Sequence, residues 1–165
     1  MHVENVTLAK NCEVLDLGNS AFRTYLICNC LLVLKMLGLI ALTVRHRMKH
    51  KVFISEEDTK MGVGGTVGSH PDVDRVRRAF ANDLETIPAF MFVSLYYLFT
   101  STPKWIVHLL YYLFVLARIG HSIVYAIKVV KQPARAVCFL ISYFILIYLT
   151  LHTLFYAIFA KHGLK

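Results

Sequence analysis

The sequence predicts an all-α integral membrane protein, a four-helix bundle formed by a single domain over residues 1–165. Three observations lead there. Hydrophobic residues make up 57% of the chain and charged residues 17%, below the roughly 25% charged share of ordinary soluble domains. Four apolar runs approach or exceed the roughly 20 residues that cross a bilayer's hydrocarbon. Lys and Arg cluster where those runs end, as membrane orientation requires. A soluble core of this size has no room for so much apolar surface.

The amino-terminal leader carries Glu4, Glu13 and Asp16 rather than a basic stretch. The first apolar run is therefore expected to be a retained span and not a cleaved signal peptide. That span covers about 25–44 and contains Asn29 and Lys35, which should face protein neighbours rather than lipid. Arg45, Arg47, Lys49 and Lys51 follow at once and mark this end as cytosolic. His46 and His50 share a face at i, i+4, a spacing that can hold a metal. Without an evident carboxylate or thiol partner they read as part of a basic turn, and no metal site is expected.

Residues 52–69 read as a long loop. Gly62-Val63-Gly64-Gly65 lacks both a preceding strand and a following Gly-Lys-Ser/Thr, so it is no phosphate loop but a flexible connection. His70-Pro71-Asp72-Val73-Asp74 has the form of a helix start, with Pro near N1 and acids in the first turn. The helix from Pro71 projects into the cytosol before its membrane span, about 84–101. Its polar stretch runs from Arg75 to Glu85. There Arg75, Arg78, Asn82 and Glu85 follow i, i+3, i+7, i+10 and share one face. Ionisable groups gathered at a membrane surface suggest a functional site; lipid-headgroup binding is the plainer alternative.

The third span covers about 105–130. Arg118, Ser122 and Tyr125 stand on one face with His121 at its flank. All ten acidic residues lie between Glu4 and Glu85, so Arg118 must find its partner outside its own half of the chain. Glu85 is the candidate, in an ion pair that locks helices together. Pro133 then starts the fourth span, about 134–160. Arg135 falls in its first turn, where the helix dipole already favours an anion. A cation there costs stability, which favours a functional role over a structural one.

Eight Lys and Arg lie between Arg45 and Asp83, against Lys104 alone in the turn between spans two and three. Four spans then place both termini on the lumenal or outer side, with the arginine cluster at the cytosolic face. The net charge of +8 does not indicate nucleic-acid binding, because no basic extramembrane domain exists to form a binding face. Cys12, Cys28, Cys30 and Cys138 include no C-x-x-C pair and read as structural thiols. A ligand suited to the cluster carries carboxylates for the arginines, an ammonium for Glu85, and a group for Arg135 to polarise. Glutathione has all of these.

Several stretches together resemble the MAPEG family, the membrane-associated proteins of eicosanoid and glutathione metabolism. They are Glu57-Asp58, Arg75-Val76-Arg77-Arg78-Ala79 with Asn82-Asp83-Leu84-Glu85, Ala117-Arg118-Ile119 with His121-Ser122 and Tyr125, and Gln132-Pro133-Ala134-Arg135. The resemblance covers about Lys35 to Phe139 and is nearest to the family's microsomal glutathione transferases, with its prostaglandin E synthases next. It implies a homotrimer binding glutathione between neighbouring subunits near the cytosolic face of the endoplasmic reticulum membrane, and also of the mitochondrial outer membrane. By motif position, Arg47, Arg77, Arg78, Asn82, Glu85, His121 and Tyr125 would hold glutathione as co-substrate. Arg135 would lie beside the sulfur and stabilise the thiolate.

The implied activity is conjugation of glutathione to lipophilic electrophiles, with peroxidase action on lipid hydroperoxides. A prostaglandin E synthase-like isomerase and a non-catalytic, lipid-presenting scaffold are the alternatives. Departures from the family pattern bear on that choice. Phe80 replaces a common His, Ala81 and Ala136 replace an Arg and a Ser of the prostaglandin synthases, and Phe139 replaces their Tyr. The 52–58 block lacks the family's Pro, and one extra residue separates Tyr125 from Pro133.

Overall fold

The computed structural model describes residues 13–60, 64–127 and 133–160. Cys12, Gly62, Val63, the end of the third span at Val130, and Gln132 lie outside the described residues. The first long helix, α1, is Ser20–His50, capped by the Asn19 side chain accepting from the Ala21 amide at 3.2 Å. Its 31 residues reach about 46 Å at about 1.5 Å per residue, so the helix outruns the hydrocarbon and its basic last turns emerge. It ends at Lys51, whose φ of 52° closes the helix in the left-handed region.

The connection that follows departs from the flexible loop expected. β1, Val52–Phe53, pairs in parallel with β2, Thr66–Val67, around a single helical turn, α2, Glu56–Thr59. Gly65 makes this pairing feasible: a Cβ there would stand 2.6 Å from both the Lys51 carbonyl oxygen and the Phe53 ring.

α3, Pro71–Tyr97, starts with Pro71 in its first turn and the His70 ring accepting from the Asp72 amide at 3.2 Å. It runs on through Pro88. Its buried stripe is Val73, Val76, Ala79, Asp83, Ile87, Phe90, Ser94 and Tyr97, steps of three and four that keep one face inward. Beyond Glu85 the apolar half of α3 reaches only about 18 Å at about 1.5 Å per residue, against a hydrocarbon layer of about 30 Å. A crossing by α3 would therefore carry Asp83 to membrane depth. α4, Lys104–Ser122, passes into a π-helical turn at Ile123–Ile127, and α5, Ala134–Phe159, follows Pro133.

α1 packs on α3 and α4, and α5 packs on the same two from the other side. Aromatic contacts join α3 to α4 at the centre. Phe90 stacks on Phe114 at 3.8 Å, Tyr111 meets Phe90 edge-on at 5.5 Å, and the Tyr111 hydroxyl donates to the Ser94 carbonyl at 2.5 Å. The exterior is apolar: Trp105, Leu116, Phe144, Ile158 and Phe159 are each more than 60% exposed. Three helical segments, Ser20–His50, Lys104–Ile127 and Ala134–Phe159, are long and apolar enough to cross a membrane.

Candidate functional site

Two charged clusters lie on α3. The inner one is a buried triad. Asp83 receives Lys35 Nζ from α1 at 2.5 Å on both carboxylate oxygens, and Arg118 Nη2 from α4 at 2.5 Å on Oδ1. The same Arg118 nitrogen also donates to the Asn82 carbonyl and to Asn82 Oδ1, each at 3.0 Å. Asp83 and Arg118 have no exposed side-chain surface and Lys35 has 9%.

The partner of Arg118 is therefore Asp83 and not Glu85. The reason is helical phase. Two residues along an α-helix is a turn of about 200°, so when Asp83 faces α4, Glu85 faces away. Asn82, expected to hold a ligand, has its side-chain oxygen engaged by Arg118.

The outer cluster surrounds Tyr125, in the π turn. Arg78 Nε, from α3, donates to the Tyr125 hydroxyl at 3.2 Å. The Arg135 guanidinium carbon, from the first turn of α5, lies 3.9 Å from the centroid of the Tyr125 ring. This is within the range of a cation–π contact. His121 stacks on Tyr125 at 5.5 Å and approaches Phe139 at 6.5 Å. Among the described residues α5 begins without a side-chain cap, so its first backbone N–H groups can meet an anion beside two guanidinium groups. Arg135 Nε and His121 Nδ1 are buried without a hydrogen-bond partner among the described residues.

Four of the eight candidates, Arg78, His121, Tyr125 and Arg135, thus meet around one phenol. The other four do not join them. Asn82 turns to the triad. Arg77 and Glu85 are exposed on the outer surface of α3, and Arg47 is half-buried in the last turn of α1. None of these last three has a side-chain hydrogen bond or ion pair among the described residues.

Compared with known proteins, the chain matches the MAPEG family over residues 25–155. The chain belongs to the MAPEG family. Among the relatives of this MAPEG protein, the prostaglandin E synthase of Homo sapiens is 31% identical over 129 residues, 78% of this chain and 84% of that one. The prostaglandin E synthase of Mus musculus is 37% identical over 103 residues, 61% of this chain and 67% of that one. The microsomal glutathione S-transferase 1 of Bos taurus is 34% identical over 130 residues, 76% of this chain and 83% of that one. These identities do not separate the two kinds of relative, although the motifs alone placed the transferases nearer.

Lys35 and Asp83 are the polar residues of this MAPEG protein that the sequence reading left without a role in the constellation. The signal for Asp83 was present: it occupies an inward position of an otherwise mostly apolar stripe. A third polar group lies where α1 meets α3. His46, His50 and Asp72 bring one potential ligand atom each to within 4.8 Å of one another. Asp72 is the carboxylate that the histidine pair lacked in the sequence. Desolvation pushes the Asp72 carboxyl up, but His70, Arg75, His50 and His46 together hold it below the ordinary carboxylate value. Cys28, Cys30 and Cys138 are free thiols.

Proposed function

We propose that this protein is a membrane glutathione transferase that conjugates the glutathione thiolate to lipophilic electrophiles, with glutathione peroxidase activity on lipid hydroperoxides. The supporting observation is the convergence of Arg78, Tyr125 and Arg135 from three separate segments, beside the uncapped start of α5. Such a concentration of positive potential suits a small anion with several carboxylates. The Tyr125 ring holds Arg135 from one face and its hydroxyl accepts from Arg78, so neither guanidinium has to be ordered when the ligand arrives. In this reading Arg47, Arg77, Arg78, Asn82, Glu85, His121 and Tyr125 bind glutathione, and Arg135 stabilises the thiolate.

Four spans and a homotrimer belong to the same proposal. Arg77 and Glu85 are exposed on the single chain, where a second copy would cover them and complete the site from both sides. The active site then faces the cytosol from the endoplasmic reticulum membrane.

The energetics set what Arg135 contributes. A free thiol with a pKa of about 8.5 is only a few per cent thiolate at pH 7. Lowering that pKa by about two units stabilises the thiolate by about 2.7 kcal/mol and raises its fraction about 25-fold. Nucleophilicity falls with pKa at a Brønsted slope of about 0.4–0.5, offsetting about six- to tenfold of that gain. The net chemical gain is a few-fold. The rest must come from holding the thiolate against an electrophile concentrated in the bilayer, which favours apolar substrates.

A prostaglandin E synthase-like isomerase is the second reading, favoured by the relatives that bear that name. Ala136 and Phe139, where a hydroxyl-bearing Ser and Tyr are typical of those enzymes, weigh against it. The deciding experiment is glutathione conjugation to an apolar aryl halide by the detergent-solubilised, lipid-supplemented protein, beside Arg135→Ala. Turnover in the parent that collapses in the variant supports the transferase. Isomerisation of a prostaglandin endoperoxide without conjugation supports the second reading. Absence of both, with no protection from heating by millimolar glutathione, removes the glutathione reading altogether.

A further inference from the structure

We propose that His46, His50 and Asp72 form a binding site for a divalent transition-metal ion of the zinc type, clamping the end of α1 to the start of α3. The i, i+4 spacing puts both imidazoles on one face of the last turns of α1. Asp72 comes from the first turn of α3, with a whole connection between. One ligand atom from each residue lies within 4.8 Å of the other two.

His50 Nε2 stands 3.2 Å from Asp72 Oδ2. That is close to the edge of a tetrahedron, about 3.3 Å, drawn with zinc–ligand bonds of about 2.0–2.1 Å. At most 4.8 Å then separates the remaining pairs, an excess that rotation of the His46 side chain can remove.

Three features distinguish this group from an incidental surface pair. His46 Nδ1 and His50 Nε2 are both buried and neither has a hydrogen-bond partner among the described residues. His50 approaches Asp72 without hydrogen-bond alignment. The surroundings also orient the ligands as outer partners do in metal sites. Arg75 Nη1 holds Asp72 Oδ1 at 3.1 Å, so that Oδ2, with His70 Nδ1 at 3.8 Å, is the oxygen turned toward the histidine pair. His70 is committed to capping α3 through Nδ1, and its ring stacks on His50 at 3.5 Å, setting the plane of that imidazole.

Two imidazoles and one carboxylate form a borderline nitrogen and oxygen set. It suits zinc better than calcium or magnesium, which prefer all-oxygen shells. Three protein ligands leave a fourth position for water.

The test uses the full chain in detergent, without added histidines and stripped with chelator. Zinc is titrated against a chromophoric chelator, and cobalt is then added as a spectroscopic substitute. The expected result is one equivalent of zinc per chain, with a cobalt spectrum of tetrahedral type. His46→Gln and Asp72→Asn should each weaken zinc at least about tenfold while the far-ultraviolet circular dichroism stays that of the parent. If the parent binds zinc no more tightly than the folded His46→Gln, His50→Gln double variant, the proposal is overturned. Equal competition by magnesium would overturn it as well.

Discussion

The triad around Asp83 and the cluster around Tyr125 each take a charged group from α3, yet they are built on different principles. In the triad every charge faces an opposite one at hydrogen-bond distance and solvent is excluded. Around Tyr125, Arg78 and Arg135 contact a phenol and no carboxylate among the described residues. Buried cations that share a carboxylate join helices; guanidinium groups with no carboxylate among the described residues, beside the start of α5, leave a place for an anion from outside. Arg118 and Arg135 are the same residue type, but among the described residues only Arg118 meets a carboxylate.

The contrast is sharpest for stability. Asp83→Asn would leave Lys35 and Arg118 as buried cations without a counter-charge, and should cost about 3–5 kcal/mol, read as a lower unfolding midpoint in detergent. Replacing all three members with apolar residues of similar volume should restore most of that loss. If Asp83→Asn unfolds at the parent's midpoint, the triad is not what joins these helices.

Next in size is Arg135→Ala. Conjugation at pH 7 should fall by at least the few-fold that thiolate activation contributes, and the pH–rate midpoint should rise by about two units toward that of a free thiol. Stability should hardly move, since the residue opposes the α5 dipole. A pH–rate midpoint that stays in place would detach Arg135 from the sulfur.

Tyr125→Phe keeps the ring under Arg135 and removes only the hydroxyl that Arg78 contacts. Glutathione binding should weaken about tenfold, corresponding to a charge-assisted hydrogen bond of about 1.5 kcal/mol, with kcat changing less than KM. Unchanged binding would leave the ring, not the hydroxyl, as the contribution of Tyr125.

The smallest effect is expected of Glu85→Gln. If Glu85 pairs with the glutathione ammonium, as proposed, an exposed pair is worth at most about 1 kcal/mol, and the KM for glutathione should rise by no more than about fivefold. A larger rise would show that the carboxylate is desolvated in the assembled protein.

Much of the fold was legible in advance because its cause is local. The apolar runs and Pro71 and Pro133 at helix starts depend on residues close in sequence. The site was legible less evenly. Arg78, Tyr125 and Arg135 could be grouped from their common membrane face, whereas Asn82 and Glu85 were assigned by spacing along a single helix. Helical spacing ranks neighbours on that helix but says nothing of which face meets another. The π turn at Tyr125 was not foreseen.

By itself the sequence determined an α-helical membrane protein with basic residues flanking its apolar runs, because hydrophobic length and basic flanks act through solvent and not through partners. Its motifs also carried the family. Only the tertiary structure decided that Arg118 belongs to Asp83, that Gly65 seats a strand, and that Asp72 completes a trio with His46 and His50. Each of those contacts joins segments distant in the chain, and its existence depends on the rotation of whole helices, which packing sets.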